Sequence, residues 1–282
     1  NMLVNIGNNR YRLIDFWTGT YRAATGSGAL NTLPISVAPY AVKFEKRLPV
    51  KIMFLALFFA TIQYMFTLGT RTQFAILLLI VILAALQFAY SEQGIAGVLK
   101  CIGIMAVISL IAFLLYHFNV LSIREYILNT NLAARYERRA SLENADSFRF
   151  QSFWIGLREL IQYPMGGRAS QIYRHNMWLD VGRVSGIIPF CLLLVYSIKN
   201  FANVTVIWKN TKILPSLRYL LLFLYIGAYV NCFVEPIWEG ALNFFLALCV
   251  VDGMVSAMMR RLENDPTPEE SVSDTSNLHT DL

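Results

Sequence analysis

Charge is scarce in this sequence: 15% of the residues are Asp, Glu, Lys or Arg, against 56% that are apolar. That balance, with a mean hydropathy of +0.49, excludes an ordinary water-soluble domain and fits a membrane protein. Histidine is scarcer still, with three in the chain: His117, His175 and His279. The cysteines (Cys101, Cys191, Cys232, Cys249) fall singly within or at the edges of apolar runs. Such spacing gives neither a metal site nor a disulfide framework, and helix packing is the expected role. There is no glycine loop for phosphate, no pair of aspartates set for a metal and no internal repeat. No cofactor, no catalytic metal and no nucleic-acid partner are therefore expected.

What is present is a series of apolar runs, at roughly 50–68, 73–90, 99–118, 186–202, 217–233 and 240–258. A bilayer crossing takes about 20 mostly apolar residues, so each run is an expected span. A weaker stretch, ALNTLPISVAPYAVKF at 29–44, carries two prolines and is a doubtful or broken span. The expected fold is all-α, a polytopic transmembrane bundle with a structured helical loop on the outer side. Its expected parts are a polar outer segment (1–28), a first membrane block (29–118), the long loop (119–185), a second membrane block (186–258) and a disordered inner tail (259–282). The chain starts at Asn1 with no signal peptide, and an N-terminally truncated member of a larger protein is expected.

Basic residues set the expected orientation. Lys43, Lys46, Arg47 and Lys51, then Lys199, Lys209, Lys212 and Arg218, then Arg260 and Arg261 flank spans in alternation. All three clusters fall on one side, the expected cytoplasmic one. The other side receives GTRT (69–72), the 119–185 loop and VEPIWEG (234–240). The long loop carries arginine and no lysine at all. Arginine offers a planar fork suited to phosphate or carboxylate. Such arginines either pair with loop carboxylates, Glu125, Glu159 and others, or hold an anionic ligand.

Within the loop, FRFQSFWIGLRELIQYP (148–164) has the period of an amphipathic helix, with Phe150, Phe153, Leu157 and Ile161 on one stripe and Arg158 on the other. It lies on the membrane surface or packs on the protein's own core. The segment RHNMWLDVGRVSGIIPF (174–190) follows. Asn176 is placed to cap a helix starting near Met177, which sets His175 at a helix N-terminus that favours anions. Arg174 and Arg183 add charge and would keep the imidazole neutral. The plain alternative is an interfacial histidine bonded to a loop carbonyl. Arg71, in a tight turn between two spans, either snorkels or meets a partner. Arg149 heads the amphipathic helix. His117 is read as interface filler and His279 as idle. Glu235 and Glu239 in the last outer link could orient a sugar hydroxyl or pair with arginine.

Three stretches in order, FTLGTRTQFAILLL, SFRFQSFWIGLRELIQYPMGG and RHNMWLDVGRVSGIIPFCLLL, resemble the bacterial O-antigen ligase and polymerase superfamily over about 40–260. Family turns often read Ser-Arg-Gly where this chain has Thr70-Arg71-Thr72. The resemblance implies a membrane glycosyltransferase that takes glycan from an undecaprenyl diphosphate carrier at the periplasmic face of the inner membrane. His175 would be the general base, with Arg71, Arg149, Arg174 and Arg183 on the diphosphate and Asn176 and Arg158 as further substrate contacts. The transfer would need no metal and would invert the anomeric carbon. The acceptor would be a growing glycan (a polymerase, slightly preferred) or lipid A–core (a ligase), with membrane lipid and a chain-length regulator as further partners. A transporter of lipid-linked oligosaccharide is the alternative from another class; it would carry polar groups and broken helices at mid-membrane.

Overall fold

Apolar runs of this length can satisfy their backbone in a bilayer only as helices, and the computed structural model is built from them. It describes residues 12–16, 18–21, 24–140 and 145–264, with backbone alone at 25, 136–140, 145–149 and 263. His279 lies outside these. The order is α1 (Ala24–Leu30), α2 (Thr32–Phe44), α3 (Leu48–Leu68), α4 (Arg71–His117), α5 (Ile123–Leu128), α6 (Asn131–Ala140), α7 (Ala145–Gln162), α8 (Met177–Ser185), α9 (Ile187–Lys209), α10 (Pro215–Val234), α11 (Ile237–Gly240) and α12 (Leu242–Asn264). Among the described residues no strand occurs, and one isolated bridge joins Ile14 and Tyr21.

Five helices, α3, α4, α9, α10 and α12, are long and apolar enough to cross a membrane. This is a multi-pass helical membrane protein. The runs at 73–90 and 99–118 are two helical arms, as expected from the sequence. They form α4, 47 residues long and broken at Gly94 (φ 60°, ψ −144°). A Cβ on Gly97 would lie 2.4 Å from the carbonyl oxygen of Ala89. Eight residues of straight helix span about 12 Å, so the chain bends back on itself at the break. The arm beyond it is exposed along its length, as Ile95, Leu99, Val107 and Phe113 show, a surface suited to lipid. The doubtful 29–44 stretch is α2, 13 residues with Pro39 inside it. It is too short to span and is packed in the bundle, with Ile35 and Ala41 fully buried. Leu13 is also buried, in a cluster with Ala24, Tyr64 and Leu68.

α10 is the central post. At one end Cys232 and Ala228 pack with Ala29, Met177, Ile237 and Phe244. Midway Phe223 joins Ile35, Met65, Ile76 and Ile80. On another face of the same stretch Leu221 and Tyr225 join Val204, Ile207, Ile213 and Val255. Gly227 allows a close crossing with α2, since a Cβ there would sit 2.7 Å from Ser36 Oγ; small residues serve such approaches in membranes.

The lysine-bearing ends meet at one end of this post. Phe44 stacks on Tyr219 at 5.7 Å and meets Phe88 edge-on at 5.9 Å, Lys43 pairs with Glu92, and Arg218 donates to the carbonyl of Trp208 at 3.2 Å. The ends holding Arg71 and His175 lie at the other.

A buried carboxylate sits inside the apolar run of α12. Asp252, 2% exposed and midway along α12, accepts the Tyr225 hydroxyl. On the same side of the bundle Trp178 Nε1 donates to Ser197 Oγ at 3.0 Å and stacks on Tyr229. Replacing Asp252 with Ala leaves the Tyr225 hydroxyl without its acceptor, at a cost of about 1–3 kcal/mol. Asp252→Asn keeps an amide oxygen there. Thermal unfolding in detergent should show a clearly lower midpoint for Asp252→Ala and a smaller shift for Asp252→Asn.

Candidate functional site

The stretch Asn231–Glu235, the last turn of α10, is where the elements carrying the candidate residues converge. Thr72, beside Arg71, donates to the Glu235 carboxylate. Gln73 donates to Asn231 Oδ1 at 3.3 Å. Asn176, beside His175, donates its amide to the Phe233 carbonyl at 3.2 Å. The ring of Phe153 on α7 lies 6.0 Å from that of Phe233. Arg71 and His175 thus flank one short segment. Arg149 stands four residues before Phe153 on α7, about 6 Å along the axis; its side chain is outside the described residues.

The anchor of this convergence is Asn231, 0% exposed. Besides accepting from Gln73, its amide nitrogen donates to the Ala29 carbonyl at 3.3 Å and to Thr32 Oγ1 at 3.1 Å. A polar group placed so deep needs its partners supplied by protein. Here α1, α2 and α4 supply them.

Residues 164–176 form a strap that delivers His175. It leaves α7 at Pro164, crosses the start of α9 and turns into α8. At the crossing the backbones touch: Gly167 N–H donates to the Val184 carbonyl at 2.9 Å, Arg168 N–H to that of Arg183 at 3.1 Å, and Ile187 N–H to that of Pro164 at 2.8 Å. A Cβ on Gly166 would lie 2.5 Å from the Gly186 nitrogen, and one on Gly186 would lie 2.5 Å from the Pro164 oxygen. The glycines of PMGG and VSG are therefore two halves of one contact.

Asn176 caps α8, its Oδ1 accepting from Leu179 N–H at 3.1 Å. His175 itself has φ 56°, a left-handed conformation that costs a non-glycine residue roughly 1–3 kcal/mol. Its ring meets Tyr173 edge-on at 4.7 Å. The residues on either side are pinned. Arg174 binds Glu159 through two parallel bonds, Nε to Oε2 at 3.0 Å and Nη2 to Oε1 at 2.6 Å, and its backbone N–H donates to Asp180 Oδ1 at 2.6 Å.

These contacts separate the arginines. Arg174 is engaged by a carboxylate of α7. Arg183, 2% exposed, is surrounded by the protein's own acceptors and ion-pairs with Glu239. Arg158 is exposed on α7. Neither Arg174 nor Arg183 is placed as Arg71 is, beside the convergence point.

Burial raises the Asp180 carboxyl above its ordinary value of 3.8, opposed by the Arg174 N–H and then by the Arg183 charge. Burial likewise lowers Arg183, which Asp180 offsets. Arg183 nevertheless stays charged at neutral pH. A raised carboxyl favours the protonated folded state, so its contribution to stability falls as pH rises from about 3.8 towards the folded value.

Glu239 also lines a cavity of about 160 Å³ with Gly26, Leu30, Gly240, Asn243 and Phe244. Among the described residues no group of three His, Cys, Asp or Glu side chains is placed to hold a metal.

No family model and no curated protein matches the chain. The arrangement stands on its geometry.

Asn231, Gln73, Asp180 and Asp252 were not singled out from the sequence. A signal was there for Asn231 and Asp252, as polar residues inside apolar runs are costly without partners. For Asp180 there was none, because its partners depend on how the strap folds.

The crossing yields a graded prediction. Gly166→Ala and Gly186→Ala drive a methyl into backbone and should each cost upwards of about 2 kcal/mol. Gly167→Ala has open space around it and should cost about 1 kcal/mol from its φ of 79°. Melting temperatures in one detergent would order the three.

Proposed function

We propose that this protein is a lipid-carrier-dependent glycosyltransferase of the O-antigen polymerase or ligase type. It would act at the periplasmic face of the bacterial inner membrane. The observation that carries this reading is the meeting of the Arg71 end of α4, the His175 strap and α7 around Asn231–Glu235, at the end of the bundle opposite the lysines. By the positive-inside rule that end faces outward.

The chemistry follows from the residue types. The neutral His175 imidazole takes the proton of an acceptor sugar hydroxyl. The oxygen attacks the anomeric carbon, the bond to the diphosphate breaks, and the configuration inverts. Arg71, with Arg149, holds the departing diphosphate and offsets its growing charge. Asn176 fixes the start of α8 and through it the imidazole. The donor is undecaprenyl diphosphate-linked glycan. The acceptor is a growing glycan, with lipid A–core as the ligase variant.

A second reading is favoured by a specific observation. Asp252 lies buried midway along α12, a feature suited to a transporter of lipid-linked oligosaccharide. The arginines and His175 at one surface favour the enzyme.

The purified full chain, given polyprenyl diphosphate-linked glycan, should produce longer or transferred glycan on gels. His175→Ala should lower the rate about 10²–10⁴-fold. Arg71→Lys should also lower it, since a lysine cannot grip a phosphate bidentately. Normal product from His175→Ala would remove the base assignment. Flux of intact donor across vesicles without any bond cleavage, lost in Asp252→Asn, would favour the transporter.

A further inference from the structure

Arg183 is the most completely enclosed cation described in the chain's outer region, and every contact it makes is internal. Its Nη1 donates to the carbonyls of Arg168, Ala169 and Gln171 at 2.5, 3.1 and 2.7 Å. Its Nη2 pairs with Glu239, and its Nε stands 3.8 Å from Asp180 Oδ1. The three carbonyls belong to the strap, Asp180 to the same turn of α8, and Glu239 to α11 across the bundle end. A planar fork reaches the three carbonyls and Glu239 together while its Nε faces Asp180. An ammonium can serve three at most and in a different geometry.

We infer that Arg183, with Asp180 and Glu239, is the positioning device of the strap that presents His175. The inference rests on the reading of His175 as the base. Arg183 reaches from α8 and draws the three strap carbonyls inward. Asp180 holds the Arg174 N–H one residue before His175. Glu239 ties the assembly to α11. On the far side Asn176 is tied to α10 through Phe233. His175 is left between two fixed neighbours, in a backbone conformation rarely adopted by residues other than glycine. Arg183 is 2% exposed, so its effect on the reaction passes through the imidazole rather than through contact with a diphosphate.

The test compares the full chain with Arg183→Lys, Arg183→Ala and Glu239→Gln by hydrogen exchange and by kinetics. Amide exchange in peptides covering 168–176 should rise about tenfold or more in Arg183→Lys, while peptides of α10 stay unchanged. With polyprenyl diphosphate-linked glycan as substrate, kcat should fall with donor KM unchanged. The pH profile of kcat/KM should shift, because the imidazole's surroundings loosen. Glu239→Gln should show the same changes in smaller degree, and it carries the test where Arg183→Ala fails to fold.

Unchanged exchange in the strap would overturn the inference, as would a raised donor KM at constant kcat, the mark of a phosphate ligand. A wild-type chain that transfers no glycan would sink the functional reading instead, and the exchange result would still decide the clamp.

Discussion

Asn231 shares its carboxamide among three helices, and the outer end of the bundle is organised around that. Water cannot reach it, so each of its hydrogen bonds must come from the protein. α1, α2 and α4 are consequently drawn to the same turn of α10. The turn that follows carries Phe233 and Glu235, which in turn receive Asn176 and Thr72. The position of the candidate site is thus set by a neutral amide inside the membrane block rather than by the charged residues that line it.

The pieces legible in the sequence were those governed by local rules. Apolar run length gave the spans, and the lysine clusters foretold which helix ends belong together. Asn176 caps its helix where a capping residue was expected. The aromatic stripe at 148–164 is a helix, Ala145–Gln162, starting three residues earlier. Less legible was anything that depends on a distant partner. Arg174 and Arg183 look alike in sequence, both basic and both near His175. Their roles part because Glu159 lies on α7 and Glu239 on α11, and no spacing rule connects those positions. The break at Gly94, by contrast, was legible, because the polar tetrad SEQG separates the apolar runs at 73–90 and 99–118.

Asp252 shows where hydropathy averaging fails. One carboxylate in a window of leucines and valines barely moves the mean, yet physically it is the most demanding residue of its helix. Tyr225 meets part of that demand. The cluster keeps a polar seam between α10 and α12 within an otherwise oily contact, and such seams fix rotation where apolar packing alone would tolerate slippage.

The crossing of residues 164–168 over 183–187 carries a consequence for how the molecule can move. Main chain lies against main chain there, without side chains between that could yield or swap rotamers. Sliding one segment past the other would break several backbone hydrogen bonds together. Any opening that admits a bulky lipid-linked sugar must therefore arise elsewhere around the rim, with the histidine-bearing strand as the stationary jaw.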